Sequence, residues 1–126
     1  MAEVITIRKP FINWAVGDEN YKLRLTTEGI IGLENKLGGN LINVISSGIP
    51  SLTVMLQIVK EALTPYNHGI STKDVYGIFD KYVEAGGSQM DMYKSVLMPL
   101  FASSGFFTEE TSAGMLEALS GQDTEA

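Results

Sequence analysis

Glycine and proline divide this chain into segments, none of them long. Breaks fall at Gly38-Gly39, Ser47-Gly48-Ile49-Pro50, Thr64-Pro65, Gly86-Gly87 and Ser103-Ser104-Gly105. Proline pushes the residue before it out of the helical region, and glycine supplies the left-handed turn that closes a helix. Only short elements fit between such breaks. From Thr26 onward the apolar residues inside them recur at helix spacing, which predicts a small, mainly α domain of about five to six helices.

The segment before Thr26 has a different period. Phe11-Ile12-Asn13-Trp14-Ala15-Val16 and Tyr21-Lys22-Leu23-Arg24-Leu25 flank the turn-prone Gly17-Asp18-Glu19-Asn20. In the second stretch Tyr21, Leu23 and Leu25 alternate with Lys22 and Arg24, the signature of a half-buried strand, so an N-terminal β-hairpin is predicted over about 11–25. Two strands alone are marginal in water, so the hairpin must lie on an apolar surface. Glu3 to Arg8 also alternates and offers a third strand.

Helices are then expected over about 27–104. Thr26 or Thr27 caps the first, with Ile30, Leu33 and Leu37 on its stripe. Asn40 caps a short second helix through Ile45. The third, from Ser51 to Leu63, is apolar widely enough (Leu52, Val54, Met55, Leu56, Ile58, Val59, Leu63) to be central. Ser71 with Asp74 approximates a capping box before Val75, Ile78, Phe79, Tyr82 and Val83. A fifth begins near Ser88 with Tyr93, Val96, Leu97, Leu100 and Phe101 inward, and Pro99 should kink it. Residues 1–107 thus form one predicted domain. The remainder, 108–126, is an acidic segment, partly helical or frayed, in which Thr108 is a cap and Met115, Leu116 and Leu119 make an apolar edge.

Composition bounds the function. Hydrophobic residues make up 44% and charged residues 19% of 126, enough for a self-sufficient core. The absence of cysteine rules out disulfides and thiolate chemistry and fits a cytoplasmic setting. No secretory signal opens the chain, and no apolar run approaches the roughly 18 residues of a membrane span. After Thr108 the segment carries Glu109, Glu110, Glu117, Asp123 and Glu125 and no Lys or Arg, so the net charge of −6 leaves −1 for the rest. With an acidic tail and no basic stripe, neither nucleic acid nor membrane is an expected partner.

No catalytic constellation emerges, and no enzyme is predicted. The one histidine, His68, lies in a Pro65-Tyr66-Asn67-His68-Gly69 turn, where it is expected to be a solvated loop residue, the alternative being a general base beside Asp74. There is no phosphate loop, nucleophile elbow, dinucleotide fingerprint or metal-ligand spacing, so no cofactor and no metal are expected. Glu34 falls within the first helix's apolar stripe. Its stem is expected to pack while its head pairs with Arg24 or Lys36, or meets water. Binding surfaces are the better candidates. Met90 and Met92 cannot both share the face of Tyr93 and Val96, and methionine suits adaptable interfaces. Of Phe106 and Phe107, one ring belongs in the core and the other is free to anchor a neighbour. Met115 and Leu116 complete the candidate partner-binding set.

The run from Tyr21 through Thr26-Thr27-Glu28-Gly29 and Leu33-Glu34-Asn35-Lys36-Leu37-Gly38-Gly39 to Asn40-Leu41 resembles the opening of tail-assembly chaperones of siphophages and of gene-transfer agents. Gly86-Gly87, opening a helix that ends in Ser104-Gly105-Phe106-Phe107, is similar to a second part of that pattern. The resemblance implies binding to the tape-measure protein and help in delivering the tail-tube protein. It also implies residence in the host cytoplasm, absence from the mature virion, and a possible frameshifted longer form. Self-association is compatible with the apolar faces. The alternative from another class is a structural virion protein such as a tail-completion or head–tail connector component.

Overall fold

The structure, a computed structural model, describes residues 11–104. The hairpin comprises β1 (Ile12–Val16) and β2 (Glu19–Leu23), antiparallel, with Ile12 opposite Leu23 and Trp14 opposite Tyr21. The turn is tighter than expected: two residues, Gly17-Asp18, with Gly17 at φ 59°, the positive value such turns require. Glu19 and Asn20 therefore belong to the strand, and Arg24 and Leu25 leave it. The Arg24 N–H donates to the Ala62 carbonyl at 2.9 Å, tethering the exit of β2 to a helix. Trp14, Val16 and Leu23 point inward and are buried, whereas Asn13, Ala15 and Lys22 face out. The candidate third strand at Glu3 to Arg8 lies outside the described residues.

Five helical stretches follow, as predicted, at positions set by their caps. In α1 (Thr27–Leu37) Thr26 Oγ1 accepts from the Gly29 N–H at 3.0 Å, and Gly38, at φ 76°, closes it. The next helix, α2 (Leu41–Ser46), follows after three residues. Ser51 caps α3 (Leu52–Leu63), and Ser71 with Asp74 forms a full capping box on α4 (Thr72–Glu84). Two hydrogen bonds from Ser71 hold the Asp74 carboxyl below its ordinary value. The last stretch is composite: α5 (Gln89–Met92), a π-helical turn (Tyr93–Leu97) and α6 (Met98–Ser103).

The π turn is how the chain accommodates Pro99. Its Met98 N–H donates back to the Tyr93 carbonyl, five residues earlier, which places Pro99 in the first turn of α6, where a missing N–H costs little. Glu34 departs from expectation. Its Oε2 accepts the Leu41 N–H at 3.0 Å, because the short Gly38-Gly39-Asn40 link folds α2 back over the last turn of α1. That carboxylate does the capping expected of Asn40, whose side chain makes no cap bond. Lys36 instead pairs with Glu61 at 3.2 Å.

Helix α3 is central, packing against α1, α4, β2 and the π turn. Met55, Ile58, Val59, Ala62 and Leu63 are fully enclosed, and they meet Leu33, Leu41, Leu97, Leu100 and Phe101 in one continuous core. The inner face of the hairpin closes that core, which stabilises two strands that would not stand alone. Trp14 packs edge-on to Tyr82 at 5.2 Å between ring centres. Its indole Nε1 is buried without a hydrogen bond, approaching the Tyr82 hydroxyl only closely enough to favour its ionised form slightly. Burial outweighs that influence and, with Asp91 nearby, raises the Tyr82 hydroxyl above 10.0.

Gly86-Gly87 ends α4 with paired bonds, Gly86 N–H to the Val83 carbonyl and Gly87 N–H to the Tyr82 carbonyl, both 2.9 Å. A methyl group at Gly87 would come within 2.5 Å of the Tyr82 ring. That ring already packs against Trp14 and Phe79, so moving it aside disturbs both contacts. Gly87→Ala is accordingly expected to destabilise the domain by ~1–3 kcal/mol, read from the urea midpoint. A change near zero would mean the ring yields freely.

Alkaline pH gives a second check. The Tyr21 hydroxyl donates to Glu19 Oε1 at 2.7 Å, and this bond, with burial and the Glu19 charge, pushes its pKa up to about 12. A raised folded-state pKa contributes stability that is whole below the unfolded value of 10.0 and is lost as pH climbs through about 12. Tyr21→Phe should therefore flatten the fall of stability across that window. An unaltered slope would count against the Glu19 bond.

Candidate protein-binding surface

Helix α4 is where the fold leaves apolar surface open. Of its predicted stripe only Val75 and Ile78 are buried; Phe79 and Tyr82 are half-buried, and Val83, in the last turn, is exposed. Between α3 and α4 run two adjoining depressions that share Thr53, Leu56 and Tyr76, and so make one groove. Leu56 and Val75 form its floor, and Leu52, Phe79 and Tyr76 its walls, Tyr76 being 50% exposed.

The groove is electrically polarised along its length. At one end stand Lys36 and Lys60 beside Thr72, the first residue of α4. Lys36 is engaged by Glu61, whereas Lys60 makes no ion pair among the described residues. Asp80 lines the opposite end. Such a surface suits an amphipathic helix: apolar side chains enter the trough while its charges select direction.

A second depression gathers Tyr21, Asn67, His68, Gly69, Ile70, Lys73 and Asp74. Sequence raised His68 and Asp74 as an acid–base pair, and both line this dip. The Asp74 carboxylate, however, is committed to the Ser71 N–H at 2.9 Å, and His68 is exposed in the turn. The nearby turn is held from elsewhere, since Lys22 Nζ lies 4.9 Å from the Phe11 ring and 5.8 Å from that of Tyr66. No group of three His, Cys, Asp or Glu side chains suited to a metal occurs among the described residues. Nor is any described helix long and apolar enough to cross a membrane.

The predicted binding residues separate. Met90 is 44% exposed, but Met92 is fully buried and so belongs to the core, a correction of its expected place on a surface. The reason is angular: Met92 and Val96 are four residues apart and share a face, while Met90 lies about 200° around the helix from Met92. Phe106, Phe107, Met115 and Leu116 lie outside the described residues. Sequence reading missed Tyr76, Thr53, Lys36 and Lys60. The available signal was an aromatic residue, Tyr76, one position off a stripe that begins at Val75.

Fold and surface together define a class: a small helical domain closed by a hairpin, with an open apolar groove between its third and fourth helices. The chain belongs to DUF6096, a family of unknown function, whose profile matches residues 7–120. No curated protein and no solved structure matches it.

Proposed function

We propose that this protein acts stoichiometrically as a tail-assembly chaperone of a long-tailed phage, sheltering the tape-measure protein and assisting the tail-tube protein. The observation that carries the reading is the groove of Leu52, Leu56, Val75, Tyr76 and Phe79, joined to the tail-chaperone-like run from Tyr21 to Leu41. A tape measure is a long helical protein, and its apolar stripes aggregate unless covered. From Leu52 to Lys60 the groove follows nine residues of α3, about 12 Å or roughly two helical turns. Each copy would thus cover a short stretch, so many copies would line one tape measure. A domain with a nearly neutral body and an acidic tail would keep such an assembly in solution.

Co-expression tests this directly. The tape-measure protein should move from the insoluble to the soluble fraction when this chain is present, and the two should co-purify. Equal insolubility with and without it would refute the proposal. Mass spectrometry of purified particles separates the structural-component alternative: a chaperone is absent from virions, whereas a connector remains at fixed copy number.

A further inference from the structure

We infer that the outward face of α4 is a contact between two copies of this chain, laid antiparallel to one another. The helix turns Val75 and Ile78 to the core, so Lys73, Gly77, Asp80 and Glu84 line the opposite face, and all four are exposed. Tyr76 and Val83, seven residues apart, form an apolar row along one flank of that face, 50% and 46% exposed. An apolar row beside a charged one suits an interface, since the first is buried on contact and the second sets the register.

The charges are ordered for self-pairing. Asp74 in the first turn and Lys81 in the last agree with the helix dipole. Lys73 and Glu84 oppose it, a cation near the positive end and an anion at the negative end. Neither makes an ion pair among the described residues. Within one chain both are therefore placed unfavourably. A second copy running the other way corrects both at once. Its Glu84 meets Lys73, its Lys73 meets Glu84, and the two helix dipoles oppose each other.

This register places the two-fold axis between Ile78 and Phe79. Tyr76 then lies beside Val83 of the second copy, because a two-fold perpendicular to both helices keeps the apolar flanks on one side. Gly77 comes opposite Asp80, and a Cβ added at Gly77 would meet nothing within 4 Å, so the backbones have room to approach. A parallel pairing would instead set Lys73 on Lys73 and Glu84 on Glu84. Because each copy uses the same patch, the assembly closes at two. One helix of 13 residues makes a small contact, which belongs with reversible interfaces. The contact goes beyond the tape-measure reading and does not rest on it.

Sedimentation of the full chain at about 100 μM should show a reversible monomer–dimer equilibrium. Lys73→Glu alone and Glu84→Lys alone should each weaken the dimer by about tenfold, and the two together in one chain should restore it. Each substitution agrees with the helix dipole, so the monomer's melting temperature should not fall, which separates a lost contact from a lost fold. The chain has no cysteine, so engineered ones report the register. Lys73→Cys mixed with Glu84→Cys should give a mixed disulfide in excess over either homodimer, whose sulfurs would sit about 16 Å apart along the helix axis. A chain that stays monomeric at that concentration would overturn the proposal. So would a dimer indifferent to the single reversals or not restored by the double one, and so would an excess of homodimeric disulfides. Neither Lys73 nor Glu84 lines the groove, so tape-measure solubilisation survives these substitutions and the two proposals fail separately.

Discussion

Met92→Ala is expected to lower the free energy of unfolding by ~2–5 kcal/mol, while Met90→Ala, two residues earlier, should change it by no more than about 0.5 kcal/mol. The contrast follows from placement. Met92 is fully enclosed beside Val96 and Leu97, where removing its thioether leaves a cavity that the composite α5–α6 stretch cannot easily collapse. Met90 is 44% exposed and has solvent to replace what is lost. Urea unfolding followed by the fluorescence of Trp14, the one tryptophan, measures both. Since small domains are stable by only about 5–15 kcal/mol, the first substitution removes a large share of the total. Similar losses at both positions would mean that the two methionines share an environment.

The second large effect concerns binding. Tyr76→Asp should weaken association with an amphipathic partner helix by about 2 kcal/mol or more, roughly 30-fold, as expected for an aromatic anchor at the centre of an interface. Stability should hold, because Tyr76 is half exposed and the new carboxylate stays in water. Ile31→Asp is the control: Ile31 is equally exposed, at 53%, but lies on α1 and outside the groove. Soluble tape-measure yield on co-expression should fall with Tyr76→Asp and remain with Ile31→Asp. If both variants solubilise the partner like the wild type, the groove is not the partner's seat.

Local chemistry made much of the fold legible. Thr26 and Ser71 cap the helices expected of them, and Ser51 and Ser88, placed near helix starts, also cap theirs, since a hydroxyl three residues ahead of an N–H donor needs nothing distant to find it. Gly86-Gly87 stops α4 for an equally local reason. The stripe of α3 is so wide that burial on several sides was the only outcome available to it. Errors began where a neighbour in space decided. The hairpin turn closed in two residues because the inner faces of Trp14, Val16 and Leu23 had to register over α3 and α4. Glu34 found the Leu41 N–H only because α2 folds back across α1.

The binding surface was least legible, for the same reason. Tyr76, Thr53 and Lys60 belong to helices whose stripes identify only what faces inward, and a groove is made by residues flanking two stripes at once. Sequence by itself determined the order of the described elements, all their caps but that of α2, their stops, the central rank of α3 and the acidic character of the last segment, since each follows from neighbours a few residues apart. Only the tertiary structure decided which methionine entered the core, which partner Glu34 met, how Pro99 was absorbed through a π turn and where apolar surface stayed open. Those outcomes depend on the spacing and crossing of packed helices, and packing is a relation between residues that the order of the chain leaves far apart.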